Sequence, residues 1–304
     1  MRAFVPYVLL LLTAIIFSGN ILVGKALSEL PPFTISFGRV FIALLLMIPL
    51  GWRQAVRARH AFRQHWRVLL GLALSGVTLF NALIYTALQY TSATNVAILE
   101  STIPVVTILF SFLLLGERYR AIQWLGVGMS LAGAVAVIAM ADSAGAGLAS
   151  VNIGDGIMAL AVLMWVGYSL LVKDHLSKFP RFGGLLIMLV IANLTLAPIA
   201  LWENLALGTM PALDTSHWLG LLYLGIFPSV VALLCYTRAI GDVGPTQAAV
   251  FLNLLPIFTM LGAWWLLGDR ILPAQIVGSI VVIAGVVLTT RERRSAPVES
   301  ESVS

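Results

Sequence analysis

The chain has 304 residues, of which 60% are hydrophobic and only 10% are charged, whereas soluble folds carry about 25% charged residues. This composition excludes an ordinary soluble domain and predicts an integral membrane protein. The net charge of +5 does not indicate a nucleic-acid partner, because most of the Lys and Arg residues lie in short segments between apolar runs. Cys235 is the only cysteine, which excludes an intrachain disulfide and a thiolate metal site. We expect neither a metal ion nor a cofactor.

Apolar runs long enough to cross a bilayer recur along the whole chain. A helix needs about 20 mostly apolar residues to span the hydrocarbon core. Turn-forming residues such as Pro31, Pro32 and Pro180 separate the runs. The sequence therefore predicts an all-α integral membrane protein with ten transmembrane helices. The predicted spans are 6–27, 33–51, 67–90, 93–115, 119–140, 155–173, 182–202, 217–239, 244–267 and 272–290.

The distribution of charge predicts the orientation. Basic residues concentrate in alternate loops, as expected of cytoplasmic loops, and Arg270 is the one clear exception. Both termini are therefore predicted to be cytoplasmic in a multi-pass inner-membrane protein, with residues 292–304 forming a disordered tail. The loop between spans two and three holds Arg53, Arg57, Arg59, Arg63 and Arg67, and the outer loops hold Glu29, Asp142, Asp155, Glu203, Asp214 and Asp269.

The chain contains an internal repeat. Residues 97–138 align without a gap to residues 249–290, at an offset of 152. Further upstream, Phe17 and Lys25 match Trp165 and Lys173 at an offset of 148. The halves, 1–148 and 149–291, each hold five predicted spans. Because five is odd, the second half enters the membrane from the opposite side, and such inverted repeats are typical of secondary transporters with a central cavity.

Several motifs carry a family resemblance. Gly116-Glu117-Arg118 and Gly268-Asp269-Arg270 close the fourth span of each half, residues 17–20 read F-S-G-N, and residues 37–39 read F-G-R. This pattern resembles the EamA branch of the drug/metabolite transporter superfamily. The resemblance implies an inner-membrane metabolite carrier, similar to bacterial exporters of amino acids, particularly aromatic ones. It also implies that spans 1–4 and 6–9 enclose the cavity.

Polar and aromatic residues at helical spacing are the candidates for substrate binding. Intramembrane polar groups usually face a bundle interior or a wet cavity. The alternative is that they join helices through interhelical hydrogen bonds and aromatic packing. Span 3 carries the longest such face, with Thr78, Asn81, Tyr85 and Gln89. Other candidates are Phe17 and Asn20 in span 1, Trp165 and Tyr168 in span 6, and Tyr236 in span 8.

Prolines predict a helix break in each half. Pro104 and Pro256 occupy matched positions in spans 4 and 9 and have no N–H to donate to the carbonyl four residues earlier. A break there exposes backbone oxygens to a substrate ammonium, and the matched Ser101 and Asn253 add side-chain contacts. The alternative is a packing kink.

Three charged residues are candidates for coupling or charge pairing. Glu100 lies in an apolar span beside the predicted break and could carry a proton; the alternative is an interfacial or ion-paired glutamate. Lys25 and Arg39 could bind a carboxylate or phosphate, or snorkel, or pair with Glu100 or Glu29. For Arg39 structural pairing is the favoured interpretation.

Glycines seven residues apart allow close helix packing in spans 5 and 10. Gly126 with Gly133, and Gly278 with Gly285, predict either internal packing or a homodimer through these spans.

The expected function is export of small metabolites, most of all amino acids, by alternating access. The expected partners are a small-molecule substrate and lipid. A carrier of drugs, dyes or phosphorylated metabolites is the alternative within the superfamily. An intramembrane enzyme is disfavoured, because G-x-S-x-G and H-E-x-x-H motifs are absent. A P-loop is also absent, so ATP is not expected to drive transport.

Overall fold

A computed structural model of the chain describes residues 4–116, 119–141, 152–175, 178–208, 213–243 and 251–290. The expected disordered tail and the start of the ninth predicted span, 244–250, lie outside these residues, as do Arg118 and Asp142. Every regular element in the described ranges is helical. The helices are α1 Val5–Ala26, α2 Pro32–Arg57, α3 Arg59–Gln64, α4 Trp66–Tyr90, α5 Ala93–Glu100, α6 Ile103–Leu115, α7 Ala121–Ala141, α8 Ile153–His175, α9 Arg181–Ala206, α10 Thr215–Ile226 with its continuation Ala232–Val243, α11 Leu255–Leu267 and α12 Pro273–Thr290.

Seven helical segments in the described part of the chain are long and apolar enough to cross a membrane. They correspond to α1, α2, α4, α5 with α6, α8, α9 and α10. Helices α7, α11 and α12 are shorter apolar helices that overlap the other three predicted spans, so the number of ten transmembrane helices stays a prediction. The all-helical membrane architecture is therefore confirmed.

Several helices depart locally from α-helical geometry. One π-helical segment occupies Ala73–Leu79 in α4, a second, Phe227–Val231, continues α10 towards Val243, and a third, Ala263–Leu267, ends α11. A turn at Ser101 and Thr102 separates α5 from α6, and a turn at residues 253–254 precedes α11. The two turns are 152 residues apart, which is the offset of the sequence repeat. Each proline that predicted a break lies in the first turn of the helix that follows, where its missing N–H has no helical partner to lose.

Helices α2 and α9 form an antiparallel pair in which each helix caps the other. The Gln54 side chain, near the end of α2, accepts from the backbone N–H groups of Phe182 and Gly183 at 3.2 Å. At the opposite end, Glu203 accepts from the N–H groups of Phe33 and Thr34 at 3.4 and 3.2 Å. These bonds satisfy orphan donors at both helix starts. Helix α2 extends to Arg57, six residues past the predicted end of the second span at residue 51, so Arg53 lies on the helix.

Helices α7 and α12 pack against each other through the predicted glycines. A Cβ atom built on Gly126 would lie 2.5 Å from the carbonyl oxygen of Gly285, so the two backbones touch. Gly133 faces Val282, and Gly278 faces Val137, which makes the pair antiparallel. The faces of α7 and α12 that carry the four glycines therefore pack against each other within one chain. The homodimer stays a prediction and would have to use other faces of these helices.

Candidate substrate site

A buried arginine organises the polar cluster between α1, α2, α4 and the π-helical segment after α10. Arg39 is 9% exposed, and its Nη1 lies 2.9 Å from Asn20 Oδ1, 2.7 Å from Asn81 Oδ1 and 2.7 Å from the Tyr85 hydroxyl. Its Nε donates to Ser229 Oγ at 3.1 Å. A buried charge is tolerated only when its donors are satisfied in this way. The four partners come from two helices and one π-helical segment: Asn20 lies on α1, Asn81 and Tyr85 lie on α4, and Ser229 lies in the π-helical segment.

Local backbone features place these side chains. Gly24 on α1 leaves room for the Tyr85 ring, since a Cβ atom at Gly24 would lie 2.7 Å from a ring carbon. The π-helical turn gives Ser229 its position: its hydroxyl donates at 2.9 Å to the carbonyl of Leu224, five residues earlier. Asn81 is fixed by a hydrogen bond from its Nδ2 to the carbonyl of Val77, so its Oδ1 faces the guanidinium. The cluster is therefore pre-organised around Arg39 by contacts from both halves of the chain.

Glu100 is the acid near this cluster. It is the last residue of α5, directly before the turn, and interacts electrostatically with both Arg39 and Tyr85. Its Oε2 atom is buried and has no hydrogen-bond partner. Among the described residues no direct ion pair joins Glu100 to Arg39, whose bonds go to neutral groups. The anticipated charge pairing is therefore electrostatic and not a direct salt bridge.

The predicted face of α4 is divided. Asn81 and Tyr85 lie in the Arg39 cluster, whereas Thr78 bonds Thr195 of α9 at 3.3 Å. Gln89 donates to the carbonyls of Ser28 and Leu30, beyond the end of α1, at 3.4 and 3.2 Å. Thr78 lies inside the π-helical segment, where the wider turn breaks the three-and-four spacing assumed from the sequence. The structure thus brings together half of the predicted stripe.

The other aromatic candidates are not among the hydrogen-bond partners of Arg39. The Trp165 ring contacts that of Phe80 in a tilted arrangement with centroids 4.4 Å apart, and that of Tyr168 at 5.0 Å. The Tyr168 ring also covers Gly76 in the π-helical segment of α4. This aromatic group therefore joins α8 to α4 within one turn of Asn81. Two other aromatic candidates pack elsewhere: Phe17 against the main core and Tyr236 beside Leu10 and Ala239.

The remaining candidates have local partners. Lys25 donates to the carbonyls of Leu88 and Thr91 at 2.7 and 2.9 Å and so caps the end of α4; it pairs with neither Glu100 nor Glu29 in the described structure. The Ser101 hydroxyl donates to the carbonyl of Ile98 at 2.6 Å. Asn253, at the matched turn, is 5% exposed and its Nδ2 is buried without a hydrogen-bond partner.

A second polar network, which the sequence did not predict, links α4, α5, α8 and α12. The buried Asp155 accepts from the Thr91 hydroxyl at 2.6 Å and from Asn95 Nδ2 at 3.4 Å. Gln275 Nε2 donates to Asn95 Oδ1 at 2.9 Å. A cleft of about 300 Å³ beside it is lined by Tyr90, Arg270 and residues of the network. The sequence pointed to one residue of this network, Gln275, because the repeat matches it with Gln123.

Metal-binding side chains do not gather in the described ranges: no three His, Cys, Asp or Glu residues there are placed to hold an ion.

Comparisons with known proteins agree with this architecture. The EamA-like transporter family model matches residues 5–139 and 152–291. This chain belongs to the EamA-like transporter family. It is 32% identical over 289 residues to an uncharacterized transporter of Archaeoglobus fulgidus, covering 94% of this chain and 98% of the relative. It is 28% identical to the inner membrane protein YtfF of Escherichia coli, covering 94% and 86% of the two chains.

A solved crystal structure supports the fold as well. It superimposes with a TM-score of 0.59 at 23% identity and covers 91% of this chain and 95% of its own chain. An EamA-family protein with these relatives is a membrane transporter of the drug/metabolite transporter superfamily and not an enzyme.

Proposed function

We propose that the protein exports amino acids, neutral or aromatic ones, across the inner membrane by alternating access between two inverted five-helix halves. The observation that carries this proposal is the buried Arg39, which is held by neutral side chains and leaves its charge available to a substrate carboxylate. Arg39 is the cation with this environment, whereas Lys25 is bound to helix-end carbonyls. One such cation suits a single carboxylate better than a multiply charged phosphate.

The two-half architecture is supported by features that recur at the repeat offset. The family model matches the chain twice, once in each half. The turn after Glu100 recurs before α11, and π-helical segments occur in both α4 and the continuation of α10. Helices α2 and α9 run antiparallel, as do α7 and α12. Antiparallel pairing of equivalent helices is the arrangement that an inverted repeat requires.

The substrate's side chain has an apolar surface nearby. Phe80 precedes Asn81, and its ring contacts Trp165, which continues into Tyr168. A site that combines a few polar groups with aromatic walls suits an amphipathic solute. The cytoplasmic placement of both termini, with export directed outward, follows from the basic loops and is part of the same proposal.

Counterflow into proteoliposomes tests the proposal. Vesicles loaded with unlabelled phenylalanine, tyrosine or threonine are expected to accumulate the same amino acid added outside in labelled form. Vesicles loaded with glycerol phosphate are expected to accumulate no labelled amino acid. Tyr85→Phe is expected to reduce counterflow at least tenfold, because it removes a hydroxyl bonded to Arg39. Tyr90→Phe is the matched control on the same helix, since Tyr90 is 54% exposed and outside the cluster. Absence of counterflow with every amino acid would overturn the proposal.

A further inference from the structure

Glu100 and Arg39 present opposite charges to the same buried region without neutralising each other directly. The Nη1 and Nε atoms of Arg39 donate to neutral acceptors, and no described residue accepts a hydrogen bond from Nη2. Glu100 Oε2 is buried with no partner at all, although its charge interacts with that of Arg39. Each group therefore keeps bonding capacity that the protein does not use.

The carboxylates of Glu203 and Asp155 differ from that of Glu100, whereas Asp269, outside the helices, also has a buried oxygen without a hydrogen-bond partner among the described residues. Glu203 accepts three hydrogen bonds from Phe33 and Thr34, and Asp155 accepts from Thr91 and Asn95. Those groups hold helices together. An ionised carboxylate with a buried, unpartnered oxygen costs several kcal/mol, so it requires a proton or a cationic group from elsewhere.

We propose that Glu100 binds the ammonium group of the substrate while Arg39 binds its carboxylate, and that a proton competes with the ammonium for Glu100. This inference rests on the proposed function and adds the coupling ion to it. An amino acid carries both charges a few ångströms apart, and Glu100 and Arg39 are close enough for their charges to interact. When it leaves, Glu100 takes up one proton, and that proton is released when the next substrate binds.

The exchange has a definite charge balance. One zwitterion of zero net charge moves outward, and one proton moves inward on the protonated Glu100. Each cycle therefore carries one positive charge into the cell, so both the pH gradient and the membrane potential drive export. No other reactant is required.

The position of Glu100 suits a role in switching. It ends α5 where the helix breaks at Ser101, and the next helix begins with a proline turn that cannot restore the missing hydrogen bond. A change in charge at this residue acts on a joint between two half-helices. Broken helices at a transporter's centre are known places for substrate and ion binding.

Proton release on substrate binding tests the proposal without a variant. Adding phenylalanine to the purified protein in weakly buffered detergent solution is expected to release close to one proton per bound phenylalanine, read with a pH indicator. Its apparent Kd is expected to rise about tenfold per pH unit below the pH at which Glu100 loses its proton. The analogue 3-phenylpropionate, which lacks the ammonium, is expected to bind without releasing a proton.

Variants separate this proposal from the proposed function. Glu100→Gln is expected to abolish proton release and the pH dependence of counterflow, and Glu100→Asp to retain both at a shifted pH. Glu29→Gln, at an exposed carboxylate, is the control and is expected to behave as the parent. Phenylalanine counterflow that is independent of pH, or that stays proton-coupled in Glu100→Gln, would overturn this inference alone. Failure of all amino acids in counterflow would overturn both proposals.

Discussion

The two interrupted helices have the same backbone design and different chemistry. In the first half the turn at Ser101 and Thr102 follows Glu100, and in the second the turn at Asn253 follows Leu252. Both turns precede a helix that begins with proline. Among the described residues, the buried Arg39 interacts electrostatically with Glu100 at the first turn, and it bonds Asn20, Asn81 and Tyr85 of its own half.

The two halves therefore share the interruption in the backbone and differ in the charged side chains beside it. Where backbone geometry decides, substitutions at matched positions should therefore have equal effects. Where side-chain chemistry decides, they should have unequal effects. Four predictions apply this distinction, in order of decreasing effect.

The largest difference in stability between two matched positions is expected at Arg39 and Ile187. Arg39→Met is expected to destabilise the protein by about 3 kcal/mol and abolish counterflow, because Glu100 and the polar acceptors lose their charged partner. Ile187 occupies the matched position at the 148-residue offset, and Ile187→Met should cost less than about 1.5 kcal/mol. Thermal unfolding in detergent measures both.

A double variant checks the reason for that loss. Arg39→Met combined with Glu100→Gln is expected to recover most of the melting temperature but none of the transport, since the uncompensated carboxylate is gone. A double variant as unstable as Arg39→Met alone would contradict the electrostatic explanation.

Equal effects are also expected at Gly126 and Gly285, which face each other across the contact between α7 and α12, although the repeat matches them to Gly278 and Gly133. Gly126→Ala and Gly285→Ala should each destabilise by about 1–3 kcal/mol, because either new methyl group meets the opposite backbone at 2.5 Å. Gly128→Ala, on the same helix with open space around it, should leave the melting temperature unchanged or slightly higher. A large difference between Gly126→Ala and Gly285→Ala would show that the two helices are not equivalent at this contact.

At the second turn, stability and transport should respond in opposite directions. Asn253→Ser removes a buried donor that has no partner, so stability is expected to rise by up to about 1 kcal/mol. Counterflow is expected to fall several-fold if the amide contacts the substrate during the cycle. Unchanged counterflow would exclude Asn253 from the site.

A small difference in stability is expected between variants of the matched glutamines Gln123 and Gln275. Gln123 Oε1 accepts from the N–H of Arg120, and Gln275 Oε1 accepts from that of Leu272, so both side chains cap the start of a helix. Gln275 also donates to the buried Asn95, whereas Gln123 donates to a backbone carbonyl. Gln275→Ala should therefore cost about 1.5 kcal/mol and Gln123→Ala about 0.5 kcal/mol, measured by thermal unfolding. Equal losses would mean that only the caps contribute.

The helical fold was predictable because apolar runs of membrane length leave few alternatives. Its details depended on tertiary contacts. Helix α2 runs past the predicted end at residue 51 because Gln54 is needed to cap α9, a partner more than 120 residues away. The π-helical segments had no local signal, and they explain why Thr78 left the predicted stripe.

The site was predictable in part for the same reason. Helical spacing correctly grouped Asn81 with Tyr85, and intramembrane polarity pointed to Asn20 and Arg39. Periodicity within one helix cannot show which helix faces which, so the contact between Ser229 and Arg39 could not be predicted. For the same reason the hydrogen bonds of Asp155 to Thr91 and Asn95 could not be predicted.

The reciprocal caps between α2 and α9 constrain how the molecule can move. Sliding one helix along the other would strip Gln54 from the start of α9 and Glu203 from the start of α2 at the same time. Tilting the two together breaks neither contact. The pair α2–α9 is therefore expected to move as one rigid unit. Any change between inward-facing and outward-facing states has to rotate around this pair or move both helices together.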